Sequence, residues 1–213
     1  MSDLNPTKAL IFRIVHRDNM AWIFDNGLHC KSSRTTDPRY VDIGNAELID
    51  KRRHHPVPCS PGGVLSDYVP FYFTPFSPML YNIKTGYGGI RKRDNDEIVI
   101  LASSLYKLKE REIRFVFTDR HAYLATAQYY SGLENLNEID WPILQRRDFK
   151  RDPDDPGKFE RYQAEALVHQ HLPIEALLGI VCYNDAVASG LHRELAGRGL
   201  NLTVATKPNW YFR

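Results

Sequence analysis

The sequence predicts an α+β fold, and three observations carry that prediction. Apolar runs of strand length recur along the chain, among them 9–15, 68–73 and 97–102, where such runs read as buried strands. Segments with helical spacing and cap residues separate several of them. The two kinds of segment do not follow strict strand–helix–strand alternation, which sets aside a doubly wound parallel sheet. With 213 residues the chain fits one domain, 1–213, and a chain of this size buries roughly 70% of its unfolded surface without staples.

Ala9–Val15 reads as the first strand. Asn19 is placed to cap a helix in which Met20, Ile23 and Phe24 share a face, and Gly27 is a natural stop. Residues 31–42 are polar, contain Pro38 and read as a loop. Ala46–Arg53 reads as a helix with Lys51, Arg52 and Arg53 in its last turn, ended by Pro56 and Pro58. Tyr68–Phe73 and Glu97–Ala102 are strands, the second apolar enough to be central. Ser77-Pro78 starts a short helix. Arg114–Phe117 is a strand, followed by a long stretch, 122–162, of helical pieces and the irregular Asp152–Gly157. Ala164–His169, Ile180–Tyr183 and Asn201–Ala205 close the chain as strands, with helices near 173–178 and 185–196.

Composition is that of a globular protein, 43% hydrophobic and 25% charged, with a generous 12% aromatic share. A net charge of +2 permits contact with a polyanion without demanding it. The three cysteines, Cys30, Cys59 and Cys182, form no CxxC spacing, which argues for a reducing compartment and against a disulfide framework or zinc ribbon. Met1–Lys8 has no apolar signal core and no run approaches a membrane span. The expectation is a cytoplasmic protein. The absence of heptads or an apolar docking stripe points to a monomer.

Glu165 opens a strand among apolar residues, and a carboxylate there needs either water or a partner. Arg52 and Arg53 are suited to capping their own helix or to gripping a pyrophosphate. His121, just past a strand end, fits a turn or a polar site. Gly86–Gly89 and Pro61–Gly63 match neither a Walker loop nor a dinucleotide fingerprint. In Asp152–Gly157, Pro156 replaces a calcium ligand and Gln163 stands where a bidentate glutamate belongs. His169 and His171 lack a further ligand, so no metal is expected. Cations and rings interleave from Arg146 to Tyr162, a mixture suited to single-stranded nucleic acid. Interspersed aspartates bring that window close to neutral, and a solvated loop fits it almost as well.

Several blocks together resemble the DarT family of DNA ADP-ribosyltransferase toxins in order and spacing. They are Arg13–Asn19, Pro61–Phe73, Ser77–Tyr81, Phe115–His121, Ile139–Pro142, Arg161–Leu167 and the closing Trp210-Tyr211. Some members carry His and Thr where this chain has Arg13 and Val15. The resemblance implies an ADP-ribosyltransferase fold related to the poly-ADP-ribose polymerases, with a mixed β-sheet core and flanking helices. NAD is the implied co-substrate, its nicotinamide held by backbone around Arg13, Ile14 and Val15. His16, Trp22, Arg52 and His121 are implied further NAD contacts. The resemblance also implies that residues 35–53 cover the dinucleotide and that residues 121–165 face the acceptor. Glu165 and Arg52 are the implied catalytic pair.

The implied activity is transfer of ADP-ribose to thymidine in single-stranded DNA, releasing nicotinamide and blocking replication; another branch modifies guanosine. The implied partner is a macrodomain antitoxin of the DarG type. RNA or protein acceptors are the nearest rivals. A metal-dependent nuclease using Asp152, Asp154 and histidines, or a noncatalytic strand-binding module, is more distant.

Overall fold

The computed structural model describes residues 4–213. The expectation that Met1–Lys8 lacks a signal core falls partly on residues 1–3, outside the described residues. The strands are β1 (Leu10–His16), β2 (Leu28–His29), β3 (Tyr68–Tyr72), β4 (Ile98–Ser104), β5 (Phe115–Thr118), β6 (Tyr129–Tyr130), β7 (Glu165–His169), β8 (His171–Leu172), β9 (Gly179–Cys182) and β10 (Val204–Thr206). The helices are α1 (Met20–Asn26), α2 (Ala46–Arg52), α3 (Pro78–Thr85), α4 (Leu105–Glu110), α5 (Trp141–Arg146), α6 (Lys158–Arg161) and α7 (Asp185–Gly197).

Eight strands form one sheet in the order β10-β9-β4-β1-β3-β7-β5-β6, while β2 and β8 pair separately. Neighbours are antiparallel except β9 and β10, so the sheet is mixed and the fold α+β, as expected. Ile98, Val99, Ile100 and Leu101 are all at most 1% exposed. A continuous apolar run buried on both faces marks a central strand, and β4 indeed pairs with β1 along its whole length. One large hydrophobic cluster spans the sheet, and a smaller one gathers Val57, Leu65, Tyr68, Val116, Ala122 and Leu167.

The β1–β3 ladder is limited to Phe12 opposite Tyr72. Beyond that pair, the Arg13 guanidinium donates to the Pro70 carbonyl at 2.8 Å, a side chain bridging where backbone pairing stops. β3 and β7 run in full register, which sets Tyr72 directly opposite Glu165.

Several expectations change. Asn19 does not cap α1 with its side chain. Its amide instead grips the backbone of Val41, donating to the carbonyl at 3.0 Å and accepting the N–H at 2.8 Å. The turn before α1 is capped by His16. The expected helix near 173–178 is one 3-10 turn, Ile174–Ala176, because Leu178 hands its N–H to Ala102 on β4. Helix α4 was not anticipated, although Ser104 caps it by accepting the Lys107 N–H. The last strand begins at Val204 rather than Asn201. Gly27 does end α1, at φ 73°, and a Cβ there would lie 2.5 Å from the Leu172 carbonyl oxygen. No helix among the described residues is long and apolar enough to cross a membrane.

Candidate active site

Glu165 is the first residue of β7, and its side chain is only 3% exposed. Burying a carboxylate is costly unless it is paired. Arg52 supplies the pair: its Nη1 lies 2.9 Å from Oε2 and 3.1 Å from Oε1. The Ala122 N–H donates to Oε1 at 3.0 Å, and His121 Nδ1 stands 3.5 Å from the same oxygen. The backbone is fixed as well. The Glu165 N–H donates to Thr118 Oγ1 at 3.3 Å, and that hydroxyl donates to the Arg120 carbonyl. The Tyr129 hydroxyl donates to the Ala122 carbonyl at 2.5 Å, so the residue whose amide meets the carboxylate is itself held.

Burial alone pushes the Glu165 carboxyl up. Arg52, His121 and the Ala122 amide outweigh that push and hold it below the ordinary carboxylate value, so it is ionised at neutral pH. Tyr72 and Tyr129 are raised well above an ordinary phenol, first by burial and then by the charge of Glu165. Both hydroxyls therefore remain protonated donors.

Arg52 reaches this point as the last residue of α2, a helix capped by Asn45 accepting the Leu48 N–H at 3.0 Å. Arg53 turns outward to solvent beside Asp50, so the geometry separates two arginines that sequence spacing left open. Arg52 Nη2 and Arg13 Nε are buried without a hydrogen-bond partner. Orphaned guanidinium N–H groups in a cleft call for an anionic or polar ligand.

That cleft consists of two adjoining cavities of about 230 and 150 Å³ that share Arg13, Tyr40, Asp42, Ile49, Arg52 and Pro70. Together they fall within the ~300–1,000 Å³ of ordinary small-molecule sites. The first extends to Trp22, His29 and Thr35. The second extends over Ile14 and Val15 to Tyr72, Met79, His121 and Glu165. The stretch 35–52 supplies one wall of both, tethered over the cleft by Asn19 at Val41. An elongated site with a flat indole at one end, a guanidinium pair in the middle and a carboxylate at the other fits a dinucleotide with a central pyrophosphate.

Arg13, Ile14, Val15, Arg52, His121 and Glu165 thus meet at the second cavity, and Trp22 lines the first. His16 stands apart. It is 4% exposed, lines neither cavity, accepts the Asp18 N–H at 3.2 Å and approaches Glu97 at 3.5 Å. Its position at the end of β1 makes it the cap of the following turn.

The basic and aromatic window is largely consumed internally. Lys158 pairs with Asp148 and Asp152, and Arg161 with Asp140 and Asp155. Tyr162 is buried and donates to the Phe76 carbonyl, and Arg147 covers the Phe76 ring at 3.8 Å. His169 and His171 are separated by Gln170 at φ 61°. His171 stacks on His29 at 4.3 Å, and both rings contact the Asn26 carbonyl. No group of three metal-ligating side chains occurs among the described residues.

Tyr40, Asp42, Tyr72, Met79, Ala122 and Tyr129 were not singled out in the sequence, although Tyr40 and Asp42 fall in the covering segment 35–53 and Ala122 and Tyr129 in the acceptor segment 121–165. Tyr72 was within reach, because strand alternation puts it on the face of Pro70. The Ala122 contact is a backbone N–H and leaves no mark in the sequence.

Residues 12–212 match the family model described as "ssDNA thymidine ADP-ribosyltransferase, DarT". A DNA ADP-ribosyl transferase of Escherichia coli O127:H6 is 59% identical over 99% of this chain and 97% of its own length. Among solved structures, Thermus sp. 2.9 DarT in complex with ADP-ribosylated single-stranded DNA superposes with a TM-score of 0.88, at 32% identity over 97% of this chain and 98% of that one. The same Thermus protein in complex with NAD+ superposes at 0.82, with 31% identity over 96% and 98% of the two chains. The chain therefore belongs to the DarT family of single-stranded-DNA ADP-ribosyltransferases.

Proposed function

We propose that this chain, an NAD-dependent DNA ADP-ribosyltransferase, modifies thymidine in single-stranded DNA as the toxin of a toxin–antitoxin pair, with Glu165 as its main catalytic residue. The observation that carries the assignment of roles is the buried, ionised Glu165 bound to Arg52 at one end of a cleft with unsatisfied guanidinium N–H groups.

Breaking the nicotinamide–ribose bond leaves an oxocarbenium-like centre at the ribose C1′, as in glycoside hydrolysis. A fixed carboxylate stabilises that charge as it develops, and because Glu165 is buried and held by its partners the effect is larger than in water. Nicotinamide leaves with the electron pair of the broken C–N bond, and the acceptor nitrogen supplies the pair for the new one. In thymidine N1 carries the sugar, so the acceptor is the remaining ring N–H. That proton is weakly acidic in the free base but becomes strongly acidic as nitrogen bonds to C1′. A carboxylate of lowered proton affinity is then sufficient to take it.

Arg52 holds Glu165 in place and offers Nη2 to the pyrophosphate; guanidinium is effectively always protonated, so it serves as an electrostatic group rather than a base. Arg13 is the second candidate for the pyrophosphate, and the β1 backbone around Ile14 and Val15 is placed for the nicotinamide amide. An unpaired base needs no unstacking, which favours single strands. The macrodomain antitoxin, the monomeric state and a cytoplasmic location complete the reading.

The test is incubation with NAD and two oligonucleotides, one lacking thymine and one lacking guanine, with adducts read by mass spectrometry. One added ADP-ribose on the thymine-containing strand alone supports the reading. Adducts confined to the guanine-containing strand move the chain to the other branch, and NAD turnover with no DNA adduct points to RNA or protein.

A further inference from the structure

A ring follows shortly after Arg52 and another shortly after His121. His55 follows Arg52 by one turn, donates its N–H to the Arg52 carbonyl at 3.3 Å and accepts the Leu65 N–H at 2.9 Å. Tyr123 follows His121, and its N–H donates to His121 Nδ1 at 3.2 Å. The two rings meet at 5.0 Å between centroids with an interplanar angle of 48°. Both are half-buried, with Tyr123 packed against the smaller hydrophobic cluster, and neither lines the two cavities. They stand outside the dinucleotide-sized cleft, yet His121 links Tyr123 to Glu165 through contacts of 3.2 and 3.5 Å.

We propose that His55 and Tyr123 form the acceptor-base subsite, an aromatic wall on which one unpaired nucleobase stacks with its reactive nitrogen turned toward Glu165. The inference rests on the function proposed above and deepens it. The acceptor must approach C1′ from the side opposite the departing nicotinamide, while Glu165 must reach both the ribose and the acceptor proton. A ring pair whose backbones are bonded to Arg52 and His121 but which lies outside the NAD cavities meets both demands. Stacking on aromatic faces is how single strands are held without a paired partner. Burial, then the positive charge of Arg52, lowers the His55 proton affinity, which favours the neutral ring for stacking. Exposed Arg53 and His54 beside it suit the flanking phosphodiester.

The test compares Tyr123→Ala, His55→Ala and Tyr123→Phe with the parent, using a short thymine-containing oligonucleotide at saturating NAD. Loss of one base–ring stack raises the oligonucleotide KM roughly 10- to 100-fold, so Tyr123→Ala falls in that range while Tyr123→Phe stays near the parent. The Kd for NAD, titrated separately, stays unchanged, which also shows that the variants are folded. An unchanged oligonucleotide KM in Tyr123→Ala overturns the subsite. A parallel loss of NAD and oligonucleotide affinity overturns it too, since the rings then belong to the scaffold. If the parent itself modifies no oligonucleotide, the functional reading has failed rather than the subsite alone.

Discussion

Replacing Arg52 with methionine removes the charge that keeps Glu165 ionised while retaining most of the side chain's bulk. The two side chains are 12% and 3% exposed, so solvent screens the pair little and its loss leaves a buried carboxylate short of a partner. Breaking such pairs costs about 3–5 kcal/mol; the Ala122 N–H remains as a donor, which favours the lower end. For a chain of this length each kcal/mol moves Tm by about 2–4 °C, so at pH 8 the variant should melt about 6–15 °C below the parent.

The pH dependence has a definite sign. In the parent the folded carboxyl lies below its unfolded value of about 4.3. Its stabilisation is therefore present above that value and is lost as pH falls through the lower, folded one. In the variant burial dominates and the folded value rises above the unfolded one. The penalty is then full at alkaline pH and fades as acid protonates Glu165. Thermal unfolding of both proteins at pH 5 and pH 8 decides the matter. A Tm gap of the same size at both values would refute the coupling drawn between Arg52 and Glu165.

Three further changes probe how the site is held. Asn19→Ala frees the Val41 backbone and should weaken NAD binding several-fold in a calorimetric titration, with transfer at saturating NAD little altered. Tyr129→Phe deletes the hydroxyl on the Ala122 carbonyl and should cost about 1 kcal/mol in denaturant unfolding; it should also lower kcat while leaving the Kd for NAD unchanged. Gly27→Ala brings a Cβ against the Leu172 carbonyl at a positive φ and should lower Tm by several degrees, consistent with the ~1–3 kcal/mol cost of such strain; an unchanged Tm means the β2–β8 pair moves aside freely.

Much of this architecture was legible because the signals were local. The apolar run of β4, the Ser77-Pro78 helix start and the Gly27 stop are each encoded within a few residues. Glu165 was conspicuous for the same reason, a charge on an otherwise apolar strand. What the sequence hid were contacts between distant segments. Asn19 carries an ordinary cap signal, but Val41 offers its amide a complete backbone N–H and carbonyl pair, and that bond wins. The window from Arg146 to Tyr162 left nucleic-acid contact and a solvated loop both open, and the fold alone shows Lys158 and Arg161 paired with Asp140, Asp148, Asp152 and Asp155. Only the fold shows that Arg52, rather than its neighbour, turns inward from the last turn of α2.

The most direct test of the account is Glu165→Gln, which keeps the shape and one acceptor oxygen while removing the charge. NAD affinity and single-turnover transfer to a thymine-containing oligonucleotide would be measured side by side. NAD binding close to that of the parent with transfer slowed by about 10²–10³ or more, the scale of losing a pre-organised charge-stabilising group, is the predicted result. Transfer within a few-fold of the parent would contradict the central claim that this carboxylate carries the chemistry.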